Sequence, residues 1–415
     1  MAQRGGKDLR DLKGLPRSAV GSYIRKAVDK RGPSAPVPSG AAAPVLERFP
    51  ALKLYNPKAW SDWMKSYVKN RLGPRHKFNY YEPLAAGTGV YPLRQTSGRH
   101  VRLALAGDWG TGTDEARRVA AAMAATKPHF TIHLGDIYYV GSLAEVNEHV
   151  LGIDNPHNDY TPCTWPLGSV GSFALNGNHE MYGLGDAYFE LLLPQLGLWH
   201  PRQRQEASFF CLENEDWRVI ALDTAYNAIG WPFLENLLNP RCHLEDQEID
   251  WLRKAVRLGD ADDTRGVIVL THHQYYSAFD SWYPAAAQQL SAFLKRPVIW
   301  FWGHEHRLSV YGLHAFKGGI EAHGRCIGHG GMPVDRWDPD EPLLHPDCAP
   351  MFVDTRPFPN DEALDVGYNG FAVLDFDGPA VTARYCDLTG HAVWTETWTV
   401  DRRDGSLKLT VTRNP

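Results

Sequence analysis

The stretch Leu134-Gly135-Asp136-Ile137-Tyr138-Tyr139 closes an apolar run at 130–134 with a glycine and a carboxylate. Such a run is typical of a buried strand, so the pattern predicts a strand that delivers an acid to the edge of a sheet. Four other apolar runs end in the same way, on polar residues able to bind a metal ion. They are 103–106 before Asp108, 173–175 before Asn178 and His179, 267–270 before His272, and 298–302 before His304 and His306. Five such strand ends predict one shared metal site.

The order of the predicted elements indicates the fold class. Strand 101–106, a helix at about 114–126 and strand 129–134 form a βαβ unit, which makes neighbouring strands parallel. Predicted strands and helices continue to residue 302. From 308 to 399, short segments alternate apolar and polar residues, a pattern typical of antiparallel strands. The chain is therefore predicted to be an α/β (α+β) protein.

Three segments are predicted along the 415 residues. Residues 1–50 form a basic, Pro/Ala-rich arm or linker. Residues 51–98 form a helical extension packed on the main domain, because Trp60, Trp63, Met64 and Val68 recur at helical spacing within 57–72. Residues 99–415 form the main domain, with a long loop at 330–367 and C-terminal strands at 368–415. We expect loop residues such as Asp335, Arg336 and His345 to be candidates for setting specificity.

Composition limits the class of protein. With 43% hydrophobic and 22% charged residues, the chain is typical of globular proteins. No apolar run approaches the roughly 20 residues that a membrane span requires. Residues 1–100 hold 19 Lys and Arg against 6 Asp and Glu, although the net charge of the whole chain is −5. We expect this basic segment to pack on the acidic remainder or to stay solvated. A nucleic-acid or anionic-membrane contact is the alternative.

The cysteines and the N-terminal residues indicate in which cellular compartment the protein is expected. Six cysteines form no Cys-x-x-Cys pair, which favours buried free thiols in a reducing environment. The first 30 residues contain no apolar core of the kind that a secretory signal has. We therefore expect a cytoplasmic protein, with periplasmic or secreted export of a longer precursor as the alternative.

Taken together, the five strand ends resemble the motifs of calcineurin-like metallophosphoesterases and, within them, of purple acid phosphatases. That family carries GDxG, GDxxY, GNH(D/E), VxxH and GHxH in this order. The chain carries all five, as Gly107-Asp108-Trp109-Gly110, Gly135-Asp136-Ile137-Tyr138-Tyr139, Gly177-Asn178-His179-Glu180, Val269-Leu270-Thr271-His272 and Gly303-His304-Glu305-His306. The resemblance implies a four-layer αββα sandwich of two mixed β-sheets, with a dimetal site at the C-terminal ends of strands.

The resemblance also implies a metal ligand set. Asp136 would bridge two metal ions. The Fe(III) site would be completed by Asp108, Tyr139 and His306, and the Fe(II), Zn(II) or Mn(II) site by Asn178, His272 and His304. Gly110 stands where most calcineurin-like enzymes have a histidine ligand, which is why Tyr139 is assigned to the first metal.

The implied activity is hydrolysis of a small-molecule phosphate monoester by attack of a metal-bound hydroxide. The catalytic residues would be Asp136, His179, which donates a proton to the leaving oxygen, and His273, for which a packing role is equally open. A phosphodiesterase of the same fold is the first alternative. The second is a non-catalytic scaffold that keeps the fold for protein binding.

Overall fold

A computed structural model describes residues 73–96, 98–153, 162–229, 241–359 and 365–412. The basic arm at 1–50 and the helix predicted within 57–72 lie outside these residues. Residues 73–96 belonged to the predicted helical extension, but they contain a strand, Val90–Pro92, that joins the main sheet. Among the described residues, no helix is long and apolar enough to cross a membrane.

The larger sheet has eight strands, and four adjacent strands of it run parallel to one another. In spatial order they are β1 (Val90–Pro92), β5 (Phe210–Glu213), β6 (Trp217–Ala221), β7 (Gly266–Thr271), β8 (Val298–Trp302), β10 (Ala322–Ile327), β9 (Leu308–His314) and β12 (Pro350–Val353). The strands from β6 through β7 and β8 to β10 are parallel, and β9 pairs antiparallel with β10 and β12. The sheet is therefore mixed.

The smaller sheet has seven strands. In spatial order they are β17 (Leu407–Thr412), β16 (Ala392–Val400), β15 (Ala380–Asp387), β14 (Gly370–Asp377), β2 (Val101–Ala106), β3 (Phe130–His133) and β4 (Gly171–Ala174). The strands β2, β3 and β4 are parallel, whereas β14 to β17 are antiparallel. A short ladder joins β11 (Val334–Asp335) to β13 (Val366–Gly367).

The helices are short and lie outside the sheets. They are α1 (Asp114–Ala125), α2 (Leu143–His149), α3 (Asn178–Tyr182), α4 (Leu193–Trp199), α5 (Asp246–Trp251) and α6 (Ala285–Leu290). Thr113 caps α1 by accepting from the Ala116 amide. Ser142 and Glu145 form a capping box on α2.

Three apolar clusters show how the layers stack. One lies between the sheets and joins Leu103 and Ile132 of the smaller sheet to Ile268 and Phe301 of the larger. A second packs the helical segment of Trp251 against the outer face of the larger sheet, and a third packs α1 and α4 against the smaller. Helix, sheet, sheet and helix follow one another, which confirms the predicted αββα sandwich. The six cysteines are free and buried, also as predicted.

A buried ion pair crosses the space between the sheets. Arg325 on β10 donates two hydrogen bonds, of 2.7 and 2.9 Å, to the carboxylate of Glu396 on β16. Tyr385 and Trp398 donate to the same carboxylate at 2.8 and 3.0 Å. Both charged side chains are fully buried, so the charge of each depends on the other.

Candidate metal centre and catalytic site

The five motif segments meet at one edge of the sandwich. Residues after β2, β3 and β4 come from the smaller sheet, and residues after β7 and β8 from the larger. Because the carboxyl ends of parallel strands lie at the same edge of a sheet, each sheet brings its polar residues to one end. The backbone amide of His304 donates to Oδ2 of Asp108 at 2.7 Å, which joins the two sets directly.

Three of the predicted ligands adopt a left-handed backbone conformation. Asp108, Asp136 and His304 have φ angles of 59°, 72° and 65°. For residues with a Cβ this conformation is strained, and it persists where the surrounding structure enforces it. Each of these residues directly follows a glycine at the end of a strand. Backbone strain is therefore present in the turns that carry three of the predicted ligands.

The glycines of the motifs leave room for the ligands. A Cβ on Gly177 would lie 2.2 Å from Oδ1 of Asp136, and one on Gly303 would lie 2.6 Å from Oδ2 of Asp108. A Cβ on Gly110 would lie 3.0 Å from the Cα of Ile137. Gly110 is thus packed tightly against the turn that carries Asp136, in addition to lacking a ligand side chain.

Two groups of possible ligands share one histidine. Asp108, Asp136 and His272 form one group, and His272, His273 and His304 form the other. Within each group the ligand atoms lie within 4.8 Å of one another. The free nitrogen of His272 can bind only one ion, so the side chain able to bridge two ions is the carboxylate of Asp136, which has two oxygens.

His272 has the ligand geometry of a metal-binding imidazole. Its Nδ1 lies 2.8 Å from the carbonyl oxygen of Leu134, which can only accept, so Nδ1 carries the hydrogen. Its Nε2 then faces Oδ1 of Asn178 at 3.0 Å and Oδ1 of Asp136 at 3.2 Å. Three atoms that bear lone pairs converge there, and a cation would satisfy all of them.

The other imidazoles surround the same space. Nε2 of His306 lies 3.5 Å from Oδ1 of Asp108. Nδ1 of His304 is buried and has no hydrogen-bond partner among the described residues. A buried nitrogen without a partner is costly unless a group such as a metal ion binds it. These residues therefore fit the metal ions that the resemblance implies.

The tyrosine that enters this cluster is Tyr138. Its hydroxyl lies 2.8 Å from Oδ1 of Asp108, 2.8 Å from Nε2 of His306 and 3.2 Å from Oδ2 of Asp136. The sequence interpretation assigned this place to Tyr139, whose backbone amide donates to Glu145 and whose carbonyl accepts from His179. The Tyr139 assignment stays a prediction. The adjacent tyrosines in the GDxxY motif were the available signal that either side chain was a candidate.

His179 lies beside the cluster with its ring orientation fixed. Its Nδ1 is 2.6 Å from the carbonyl oxygen of Tyr139, so this nitrogen donates and carries the hydrogen. Its Nε2 lies 3.7 Å from Oδ2 of Asp136, and its amide donates to Oδ1 of the same residue at 3.0 Å. The Nε2 atom is therefore the one able to exchange a proton with a bound group.

His273 is held by a different partner. Its Nδ1 lies 3.2 Å from the hydroxyl of Thr224, and its ring packs against those of His304 and Tyr283, with centroids 4.6 and 5.1 Å away. It belongs to the second ligand group, a role that the sequence interpretation did not give it. Its predicted catalytic role remains a prediction.

The charges of the cluster depend on one another. Burial raises the pKa of Asp136, but the neighbouring imidazoles of His272 and His179 lower it more, so the pKa is held well below its usual range. Burial alone would lower the pKa of His272, yet the Asp136 carboxylate raises it to about 9. Burial and the charge of His272 lower the pKa of His304 to about 3. Asp136 and His272 thus each favour the charged form of the other.

Two buried glutamates support the ligand turns. Glu180 accepts from the amides of Asp136 and Gly177, both at 3.1 Å. Glu305 accepts from the hydroxyl of Ser277 at 2.6 Å, away from the ligand groups. Glu180 was not assigned a role from sequence; its place three residues after Gly177 in a capping pattern was the available signal.

Part of the predicted 330–367 loop packs against the site. The amide of Asp335 donates to the carbonyl of His306 at 2.8 Å, and the ring of His345 lies 4.8 Å from that of Trp282. Arg336 instead donates to the carbonyl of Thr355 and pairs with Asp365. The loop also contains β11 and β12, which the sequence pattern did not predict.

Known proteins resemble this chain in sequence and in structure. Residues 101–308, half of the chain, match the sequence model of the calcineurin-like phosphoesterases. No curated protein matches the chain. The purple acid phosphatase from yellow lupin (Lupinus luteus) seeds is 16% identical with a TM-score of 0.50, over 76% of this chain and 56% of that chain. This chain therefore spans little more than half the length of the lupin enzyme.

Two further solved structures have lower TM-scores. PhoD is 16% identical with a TM-score of 0.46, over 78% of this chain and 73% of that chain. GAP50 of Plasmodium, described as the anchor in the inner membrane complex, is 15% identical with a TM-score of 0.42, over 72% and 88%. At such identities a structural likeness shows the fold alone.

Proposed function

Because the chain belongs to the calcineurin-like phosphoesterase family, we propose that it is a dimetal-dependent hydrolase of phosphate monoesters, similar to purple acid phosphatases. The observation that carries the proposal is the pair of ligand groups sharing His272, with Nε2 of His179 beside Asp136. A scaffold protein has no need to keep a buried ligand set of this kind.

The ligands divide by their chemistry. Asp108 and His306 lie beside the hydroxyl of Tyr138, whereas His272 contacts Asn178 and His304. A carboxylate and phenolate suit a hard Fe(III), whereas imidazoles and an amide suit Fe(II), Zn(II) or Mn(II). Two bound metal ions would supply a hydroxide nucleophile at neutral pH and offset charge on the phosphoryl oxygens.

The chain's own residues complete the reaction. With Nδ1 committed to the Tyr139 carbonyl, protonated His179 carries its second proton on Nε2 and can give it to the leaving oxygen. Asp136 orients His179 through the amide hydrogen bond at 3.0 Å. The aromatic rings of Tyr138 and Tyr182, with centroids 4.3 and 5.0 Å from that of His179, restrict its movement.

The test combines metal analysis with a phosphoester panel. The purified protein is expected to contain about two metal ions per chain and to hydrolyse 4-nitrophenyl phosphate faster than bis(4-nitrophenyl) phosphate. Asp136→Ala and His304→Ala should abolish turnover and lower the metal content. The matched controls Asp377→Ala and His391→Ala change exposed residues outside the site and should alter neither.

Each other outcome has a defined meaning. Faster hydrolysis of the diester would favour the phosphodiesterase of the same fold. Full activity in both ligand variants would overturn the proposed site. A contact of the basic N-terminal segment with nucleic acid remains the alternative to its packing on the acidic remainder, and a steep salt dependence of binding is the measurement that tests it.

A further inference from the structure

A cleft of about 690 Å³ lies next to the candidate metal centre. Tyr283 forms the wall between them: it lines the cleft, and its ring centroid is 5.1 Å from that of His273 and 6.0 Å from that of His304. The cleft is therefore near enough to the metal centre to receive another part of a substrate whose scissile phosphate lies there.

The cleft carries positive charge. Arg241, His243 and Lys317 line it, and all three are exposed. None of the described residues that line it is an aspartate or glutamate. Residues 101–415 as a whole contain 24 Lys and Arg against 42 Asp and Glu, so a basic cleft is unusual on this acidic part of the chain. A local concentration of positive charge attracts and orients anions.

The backbone of the cationic residues is anchored before any ligand binds. Cys242, between Arg241 and His243, is buried in a small apolar cluster with Tyr283. Leu244, which follows His243, forms two hydrogen bonds of 2.9 Å between its backbone and the side chain of Gln289. These contacts fix the segment of Arg241 against the wall that faces the metal centre.

Lys317 is anchored on the opposite side. Its carbonyl oxygen accepts from Nε2 of Gln288 at 2.5 Å, and its Nζ lies 5.3 Å above the ring of Trp282. The indole of Trp282 donates to the carbonyl of Ser277 at 2.7 Å and packs on Phe316. A charge placed on a preorganised surface loses less entropy when it binds an anion.

We propose that this cleft binds a second phosphate of the substrate, so that the preferred substrates are organic phosphates with two or more phosphate groups. The inference rests on the proposed phosphomonoesterase function and names its substrate class. One phosphate would lie at the metal centre, and the other would be held by Arg241 and Lys317 with the help of His243. Arg241 in particular can donate two parallel hydrogen bonds to a phosphate.

Matched substrates test the inference. Butyl phosphate and 1,4-butanediol bisphosphate differ only in the second phosphate, and 1,6-hexanediol bisphosphate extends the reach. We expect the wild-type protein to show a kcat/KM at least about tenfold higher for one of the bisphosphates, corresponding to about 1.4 kcal/mol. The double variant Arg241→Gln/Lys317→Gln should lose this preference through a higher KM, with kcat for butyl phosphate within about twofold of wild type.

The control variant is Lys408→Gln, which removes an exposed lysine on β17 of the other sheet. It should leave kcat and KM unchanged for both the monophosphate and the bisphosphates. Equal effects of the double variant on the mono- and bisphosphates, or no effect on either, would overturn the inference.

A binding measurement separates this inference from the proposed function. If the wild-type protein hydrolyses neither substrate, the proposed function fails. Calorimetric titration with the alkyl bisphosphate then still measures the affinity of the cleft for it. Weaker binding of the bisphosphate by the double variant than by Lys408→Gln would support the second-phosphate site. Equal binding by the two variants would overturn the inference.

Discussion

The hydroxyl of Tyr138 lies 2.8 Å from Oδ1 of Asp108 and equally close to Nε2 of His306. Burial, together with the charges of Asp108 and Asp136, raises the pKa of Tyr138 well above its usual range. A phenol in this position is ionised only when a cation offsets those carboxylates, which is what a metal ion does for its ligands.

The first prediction follows from this position. In an iron-loaded protein, Tyr138→Phe should abolish the visible phenolate-to-Fe(III) charge-transfer band and weaken metal binding, because it removes the hydroxyl from among three predicted ligands. Absorption spectra and metal titration measure both effects. Tyr139→Phe is the control and should keep the band; the opposite result in the two variants would return the ligand role to Tyr139.

A second prediction concerns Gly177. Its replacement by alanine places a Cβ 2.2 Å from Oδ1 of Asp136 and 2.3 Å from the Asp136 backbone nitrogen. The bridging carboxylate must then shift, so Gly177→Ala should lower metal content and activity together. Gly312→Ala is the matched control, because a Cβ there would meet no atom closer than 3.9 Å. Normal metal content in Gly177→Ala would show that the turn is less tightly packed than described.

The buried ion pair between the sheets makes a third prediction. Arg325→Met should leave the Glu396 carboxylate buried without its cation and lower the free energy of unfolding by about 3–5 kcal/mol. The double variant Arg325→Met/Glu396→Leu should recover part of this loss, because no charge is then left unpaired. Urea unfolding of the single and double variants measures the difference. A double variant that is less stable than Arg325→Met would contradict this account.

The fourth prediction concerns acid stability. Burial lowers the pKa of His329 to about 4, whereas an unfolded histidine titrates near 6.5. Below pH 6.5 the unfolded chain therefore binds a proton that the folded protein does not, and stability falls as the pH is lowered towards 4. Between pH 6.5 and 5 this histidine should remove about 2 kcal/mol from the free energy of unfolding.

Urea unfolding across this pH range tests the effect of His329. The variant His329→Gln should show a smaller loss of stability between pH 6.5 and 5 than the wild type, even if it is less stable at pH 7. The exposed His391→Gln should keep the wild-type pH dependence. Identical slopes in His329→Gln and the wild type would show that His329 is not the group responsible.

The sequence predicts the strands of the sandwich well because each is a short apolar run that ends at a turn. The runs before Asp108, Asp136 and His272 were buried strands, as predicted. Elements without such a run were missed: β12 (Pro350–Val353) is stabilised by pairing with β9, which no local pattern reveals. Helix α2 was also missed, although the Ser142 and Glu145 capping box marks its start.

For the candidate site, periodicity places a motif at a strand end but does not orient its side chains. Tyr138 and Tyr139 are adjacent, so one residue of difference in the turn decides which hydroxyl reaches Asp108. The cleft could not be predicted from the sequence either, because its residues are distant in the chain and come together only through packing. They include Arg241, Tyr283 and Lys317. No repeat or spacing connects them.

The division of the ligand groups between the sheets has a consequence for the time course of folding. Asp108, Asp136 and Asn178 follow strands of the smaller sheet, whereas His272, His304 and His306 follow strands of the larger. The hydrogen bond from His304 to Asp108 closes a separation of 196 residues. Contacts of such long range form late. If these residues bind the metal ions as proposed, we expect high-affinity metal uptake only in the last stage of refolding, after the two sheets have docked.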